Sequence, residues 1–230
     1  MRPYGLYPLR RFGSYLRGRY TPTSIALEWP EKPDRVDFLN RLVAANRGSD
    51  YLEIGCAGDL CFSRVQAPRK VGVDPSRGGT VRATSREFFA ANADTFDLIF
   101  VDGLHHHEQV VEDVRSSLEA LRPGGVVVLH DCLPLTCKAH YREQSQLVWN
   151  GDVWKALVEV RTWPEVDTAT CLIDHGLGIV VPRPNTDRLD LGATGAADLT
   201  FDALAAGYPT LLRTIDFEAG LRFACHGHRD

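Results

Sequence analysis

The chain has 230 residues, 44% hydrophobic and 24% charged, which is the composition of a soluble globular protein with length enough for a full core. A formal net charge of −4 argues against nucleic acid as the main partner. No apolar run approaches a membrane span, and the start, with Arg2, Arg10, Arg11, Arg17 and Arg19, lacks the apolar stretch of a signal peptide. A cytoplasmic protein with six reduced cysteines is therefore expected.

Residues 1–32 mix Arg, Tyr, Pro and Gly without a period and read as an irregular arm, either a solvated terminus or a lid over an anionic or carbohydrate ligand. From Pro33, Val36, Leu39, Leu42 and Val43 recur at helical spacing, and Arg47-Gly48-Ser49 ends that helix. Short apolar runs follow at Tyr51–Ile54, Val71–Val73, Leu98–Val101 and Val126–Leu129. Between the last two, Val110, Val111, Val114, Leu118 and Leu121 line one face of a helix that stops at Arg122-Pro123-Gly124-Gly125. Apolar strands alternating with helices predict a parallel sheet covered on both faces. A helix through Val153, Trp154, Leu157, Val158 and Arg161 comes next, and Thr168–Ile173 with Gly178–Val181 suits a closing hairpin. The expected division is an arm over 1–32, a core over 33–183 and a C-terminal extension over 184–230 packing on that core.

The first run breaks into Gly55-Cys56-Ala57-Gly58, and Asp74 closes the second about twenty residues later. Small residues after a strand let the backbone approach a ligand, and an acid at the next strand tip accepts hydrogen bonds from ribose hydroxyls. This pairing points to a nucleotide-type cofactor at the carboxyl edge of an α/β sheet. Further along, Asp102-Gly103-Leu104-His105 and His130-Asp131 end the third and fourth runs, which places titratable groups at that same edge.

Tyr51–Gly55, Val71–Asp74, Phe96–Gly103 and Leu121–Asp131 occur in the order and spacing of class I S-adenosylmethionine (SAM)-dependent methyltransferases, which the chain resembles over roughly residues 35–181. The resemblance implies a Rossmann-like seven-stranded methyltransferase sheet with an antiparallel last strand. Glu53, Gly55, Cys56 and Gly58 would line the methionine end of SAM, Asp74 would bind the ribose, and Thr84 or Ser85 would border the adenine. Where the family usually repeats glycine after the acid, Ala57 and Asp59 stand here, and Gly58 is displaced by one.

The second group is similar to that of the metal-dependent sugar O-methyltransferases, a branch that includes actinobacterial mannoside 1-O-methyltransferases. By that resemblance Asp102, His130 and Asp131 are ligands of Mg²⁺ or Mn²⁺, Asp102 also borders the cofactor, and His105 is the general base. His130 stands where relatives often carry Asp. The implied reaction is methyl transfer to a carbohydrate hydroxyl in polysaccharide or glycoside biosynthesis, with a small saccharide as partner and a homodimer left open. Competing readings are a phenolic or natural-product O-methyltransferase with the same metal edge, and a non-catalytic SAM-fold binding module. An iron site built from Asp102, His105 and His130 is disfavoured by the α/β strand order. Trp149 to Lys155, polar and aromatic at a helix start, reads as a substrate wall or as an N-cap at Asp152 with core tryptophans. His106 and His107 read as helix-capping or solvated, and His175 is a weaker site candidate.

Overall fold

The computed structural model describes residues 24–45, 50–144 and 146–225; the arginine-rich start and the Arg47-Gly48-Ser49 stop lie outside them. In chain order the elements are α1 (Arg35–Ala45), β1 (Asp50–Ile54), β2 (Arg69–Val73), α2 (Ser85–Ala91), β3 (Phe96–Val101), α3 (His107–Glu119) and β4 (Leu121–Leu129). They continue with α4 (Val153–Val160), β5 (Asp167–Cys171), β6 (Leu177–Val181), α5 (Phe201–Leu211), β7 (Thr214–Ile215) and α6 (Phe217–Cys225).

The period-two alternation of strand side chains builds a core on each face of one sheet. In β3, Ile99 and Val101, joined by Phe96 from across a register irregularity between Phe96 and Leu98, form a core with Val110 and Val114 of α3 and Trp154 and Leu157 of α4. Leu98 and Phe100 point the other way, to a core with Phe38 and Leu42 of α1 and Leu221 of α6. In β4 Val127 and Leu129 pack on the first face, Val126 and Val128 on the second. Burial on both faces explains why these runs carry no polar alternation.

The sheet has seven strands in the order β2-β1-β3-β4-β6-β5-β7. β2, β1, β3 and β4 are mutually parallel, and β6 runs antiparallel to both β4 and β5, so the expected β5–β6 hairpin is present with its antiparallel arm β6 inserted between β4 and β5. The seventh strand comes from the C-terminal segment: Thr214 and Ile215 pair parallel with β5. From β1 the chain crosses outward to β2 and then returns to β3 on the other side, which makes the carboxyl ends of β1 and β3 the topological switch point. Among the described residues no helix is long and apolar enough to cross a membrane. All six cysteines are free thiols.

Candidate functional site at the switch point

The turn after β1 has left-handed backbone at non-glycine residues as well as at Gly55. Gly55, Ala57 and Asp59 all have positive φ (89°, 44° and 61°). Left-handed backbone costs a non-glycine residue about 1–2 kcal/mol, and hydrogen bonds around the turn offset it. The Ala57 amide donates to Asp74 Oδ2 at 2.9 Å, the Asp59 amide to the Cys56 carbonyl at 2.8 Å, and Asp59 Oδ1 accepts from the Gly79 amide at 2.7 Å. At Gly55 a side chain would overlap the Asp102 carbonyl, so glycine there lets the β1 turn sit against the end of β3. A side chain at Gly58 would meet nothing within 4 Å, leaving open space beside the turn.

The predicted cofactor residues do not all face that space. Cys56 is buried, its thiol donating to the Glu53 carbonyl, with its sulfur against Gly72 and Gly79, so only its backbone borders the turn. Thr84 is the N-cap of α2, in a reciprocal capping box with Glu87, and Ser85 opens that helix. Asp74 is buried at the end of β2, with Oδ1 accepting from the Ser76 and Arg77 amides (2.7 and 2.8 Å). Burial pushes its pKa up, but the amides of Arg77, Ala57 and Ser76 outweigh that and hold it below the ordinary carboxylate value. A carboxylate has about four acceptor positions, so three amides leave Asp74 capacity for one further donor.

At the neighbouring strand ends the acids and imidazoles converge. The Asp102 amide donates to the Ile54 carbonyl and the His130 amide to the Val101 carbonyl, which locks the loops after β3 and β4 side by side. One donor atom each from Asp102, His105 and Asp131 lies within 4.8 Å of the others. His105 Nε2 is 3.2 Å from Asp102 Oδ1 and 3.5 Å from Asp131 Oδ2. His130 Nδ1 approaches the same two oxygens at 3.3 and 3.1 Å.

His105 Nδ1 lies 3.1 Å from the Trp149 carbonyl, which only accepts, so Nδ1 carries the proton and the neutral ring has its lone pair on Nε2. That lone pair then faces two carboxylates, an arrangement that needs a proton or a cation between them. In keeping with this, burial lowers the His105 pKa but Asp102 and Asp131 outweigh it, and the net shift is upward. His130 behaves alike: burial opposes its charge, Asp131 and Asp102 favour it more, and its pKa stands well above the ordinary value. Asp102 shows the reciprocal effect, burial pushing up and the two imidazoles pulling its pKa well below the usual range. Two carboxylates and the His105 lone pair form a donor set that fits a divalent cation, and the buried His130 Nδ1, close to the same two oxygens but outside hydrogen-bonding geometry, borders it.

Arg35 and Asp174 were not singled out by the sequence, and Asn150 only as part of the Trp149 to Lys155 wall. Arg35 of α1 bonds Asp174 through Nη1 (2.9 and 3.1 Å) and its own backbone amide (3.0 Å), and Nη1 lies 3.3 Å from His130 Nε2. Asp174 follows β5 in a turn where Asp174 and His175 have φ of 42° and 63°. Asn150, buried, donates from Nδ2 to Asp131 Oδ1 at 2.7 Å. The Asp174-His175-Gly176 and Asn150-Gly151 turn signals are visible in the sequence, but nothing local says what they face. Of the two tryptophans, Trp149 stacks on His105 (centroids 4.9 Å apart, 26° between planes), whereas Trp154 is core and donates to His140 Nδ1. Asp152 does not bond the start of α4 with its side chain; its Oδ1 caps α3 by accepting from the His107 amide, and His107 pairs with Glu159 at 2.8 Å. His106 precedes α3 with no side-chain cap bond, its Nε2 3.2 Å from the Arg142 carbonyl, and His175 packs between Trp29 and His130.

A methyltransferase-domain family model matches residues 59–132, about a third of the chain. No curated protein sequence matches. Among solved structures, a putative O-methyltransferase from Klebsiella pneumoniae is 14% identical over 80% of this chain and 92% of its own, with a TM-score of 0.53. An O-methyltransferase from Bacillus cereus in complex with SAH is 15% identical over 80% and 93% (TM-score 0.48). A SAH-bound methyltransferase from Podospora anserina is 16% identical over 80% and 98% (TM-score 0.46). The fold of the chain is that of the class I SAM-dependent methyltransferases.

Proposed function

We propose that the protein is a SAM-dependent O-methyltransferase that methylates a carbohydrate hydroxyl with the help of Mg²⁺ or Mn²⁺. The observation that carries this reading is the convergence of Asp102, His105 and Asp131 at the switch-point edge, against the β1 turn. Bound SAM supplies an electrophilic methyl, and a cation beside the acceptor oxygen lowers the pKa of its hydroxyl. The open turn at Gly58 and the remaining acceptor position on Asp74 would hold the cofactor, and Asp102 and Asp131 would hold the cation. His105, its Nδ1 proton fixed by the Trp149 carbonyl, offers Nε2 to take the hydroxyl proton, and the charge then formed is stabilised by Asp102 and Asp131. Orienting oxygen, methyl carbon and sulfur in line accounts for much of the expected acceleration.

Two observations favour variants of this reading. His105 Nε2 is itself within ligand spacing of both carboxylates, which supports a role as metal ligand in place of base. Leu104, Leu147 and Val148 are exposed apolar residues next to His105 and Trp149 in sequence, which favours an acceptor with an apolar or phenolic part.

The test is transfer of labelled methyl from SAM to a panel of saccharides, mannosides included, alongside catechol. Exhaustive EDTA treatment is expected to abolish transfer, Mg²⁺ or Mn²⁺ to restore it, and Asp131→Ala to resist rescue. Full activity after chelation would remove the cation from the account. Cofactor binding with no acceptor in either class would favour a non-catalytic module.

A further inference from the structure

The segment Trp149–Asp152, just before α4, is bonded to each half of the edge. The Trp149 carbonyl accepts from His105 Nδ1, its ring stacks on that imidazole, and its indole Nε1 is anchored to the Tyr141 carbonyl at 2.6 Å. Next to it, Asn150 donates to Asp131 Oδ1 and is itself held by its backbone amide on the Ala139 carbonyl at 3.0 Å. Gly151 has φ of 60°, and a side chain there would overlap the His105 carbonyl; the Asp152 amide donates to that carbonyl at 3.2 Å. Asp131 is left-handed (φ 58°), so its backbone conformation is maintained by its surroundings. With Oδ1 engaged by Asn150, Oδ2 is the oxygen that faces His105 and His130.

The amide orientation follows from chemistry. A carboxylate only accepts, so the NH₂ group of Asn150 must face Asp131, and its carbonyl oxygen is left buried without a hydrogen-bond partner among the described residues.

We propose that Asn150 is a positioning residue: it fixes which oxygen of Asp131 is presented at the edge, while the adjoining Trp149 carbonyl fixes His105, so that one segment sets the spacing between the two. The inference rests on the cation reading of the proposed function.

Its test uses the full chain, with Mn²⁺ binding followed by electron paramagnetic resonance, SAH binding by calorimetry and folding by thermal melting. Asn150→Ala is expected to weaken Mn²⁺ binding roughly 10- to 100-fold, as loss of a partner behind a metal ligand typically does, with SAH affinity unchanged within about twofold. Asn150→Ser, which keeps a donor, should fall between Asn150→Ala and the wild type. If Asn150→Ala does not fold, Asn150→Leu, of similar size and without a donor, carries the same expectation. Unchanged Mn²⁺ affinity in a folded variant overturns the positioning role and leaves the cation reading standing. Parallel loss of Mn²⁺ and SAH binding with a lowered melting temperature also overturns it, marking Asn150 as scaffold. A wild-type protein that retains no Mn²⁺ overturns both, with SAH binding left to judge the methyltransferase reading.

Discussion

Glu53, buried in β1, accepts a hydrogen bond from the Tyr51 hydroxyl two residues earlier on the same strand face. Burial pushes its pKa up from 4.5 to about 7, with Tyr51 opposing the shift and the charge of Asp102 adding to it. Between those two values the folded chain holds a proton that the unfolded chain releases. This contribution to stability is full below 4.5 and is lost as pH rises through 7, at up to about 1.4 kcal/mol per pH unit. Glu53→Gln should therefore flatten the decline in unfolding free energy between pH 5 and pH 8, read from urea titrations at each pH. A variant with the same slope as the wild type would mean that Glu53 is ionised throughout. At the tip of the next strand, Asp74→Ala should weaken SAH binding, since hydrogen bonds to a charged group are worth about 1.5–3 kcal/mol. It should also lower stability by freeing the amides of Ala57, Ser76 and Arg77. Calorimetry showing equal SAH affinity in a folded variant would place the ribose elsewhere.

At this scale the sequence is informative where a side chain's place follows from its own strand. Asp102, His105, His130 and Asp131 each follow a readable apolar run, and they meet because β3 and β4 are neighbours. Arg35 and Asp174 were not legible as site residues, and Asn150 was read only as part of the Trp149 to Lys155 substrate wall, not as a partner of Asp131. Arg35 meets Asp174 across 139 positions and His130 across 95, and no local pattern encodes a pairing at such separation. The glycine-poor turn is a different case. Ala57 and Asp59 are not glycines, yet both adopt left-handed backbone, because tertiary hydrogen bonds hold them there.

Among the elements, the long apolar runs and the helix of Val110 and Val114 were readable because burial on one or both faces writes a periodicity. β7 was not readable: two residues carry no period, and its pairing with β5 is known only once the sheet exists. The C-terminal segment is embedded in the core through α5. Phe201 and Leu204 of α5 are fully buried, and the Phe201 ring stacks on His140 with centroids 5.9 Å apart. Phe201→Ala should thus cost about 3–5 kcal/mol, the usual range for deleting a buried aromatic, measured by urea unfolding. A cost below about 1 kcal/mol, the scale of a surface substitution, would mean that α5 only rests against the core.

For the molecule as a whole, the doubly wound topology brings the β1 turn and the two imidazole–carboxylate pairs to one edge, the proposed place of methyl transfer. The measurement that tests this most directly is the pH–rate profile of labelled methyl transfer from SAM to the best saccharide acceptor, for the wild type and His105→Ala. With His105 as base, activity must rise with pH as Nε2 loses its proton. The limb should be histidine-like, around the ordinary value of about 6.5, because a cation held by Asp102 and Asp131 opposes the upward shift that the two carboxylates impose on the metal-free site. In His105→Ala, kcat should fall by roughly 10²–10⁴ and that limb should vanish, with SAH affinity near that of the wild type. An unaltered rate and limb in the variant would contradict the account.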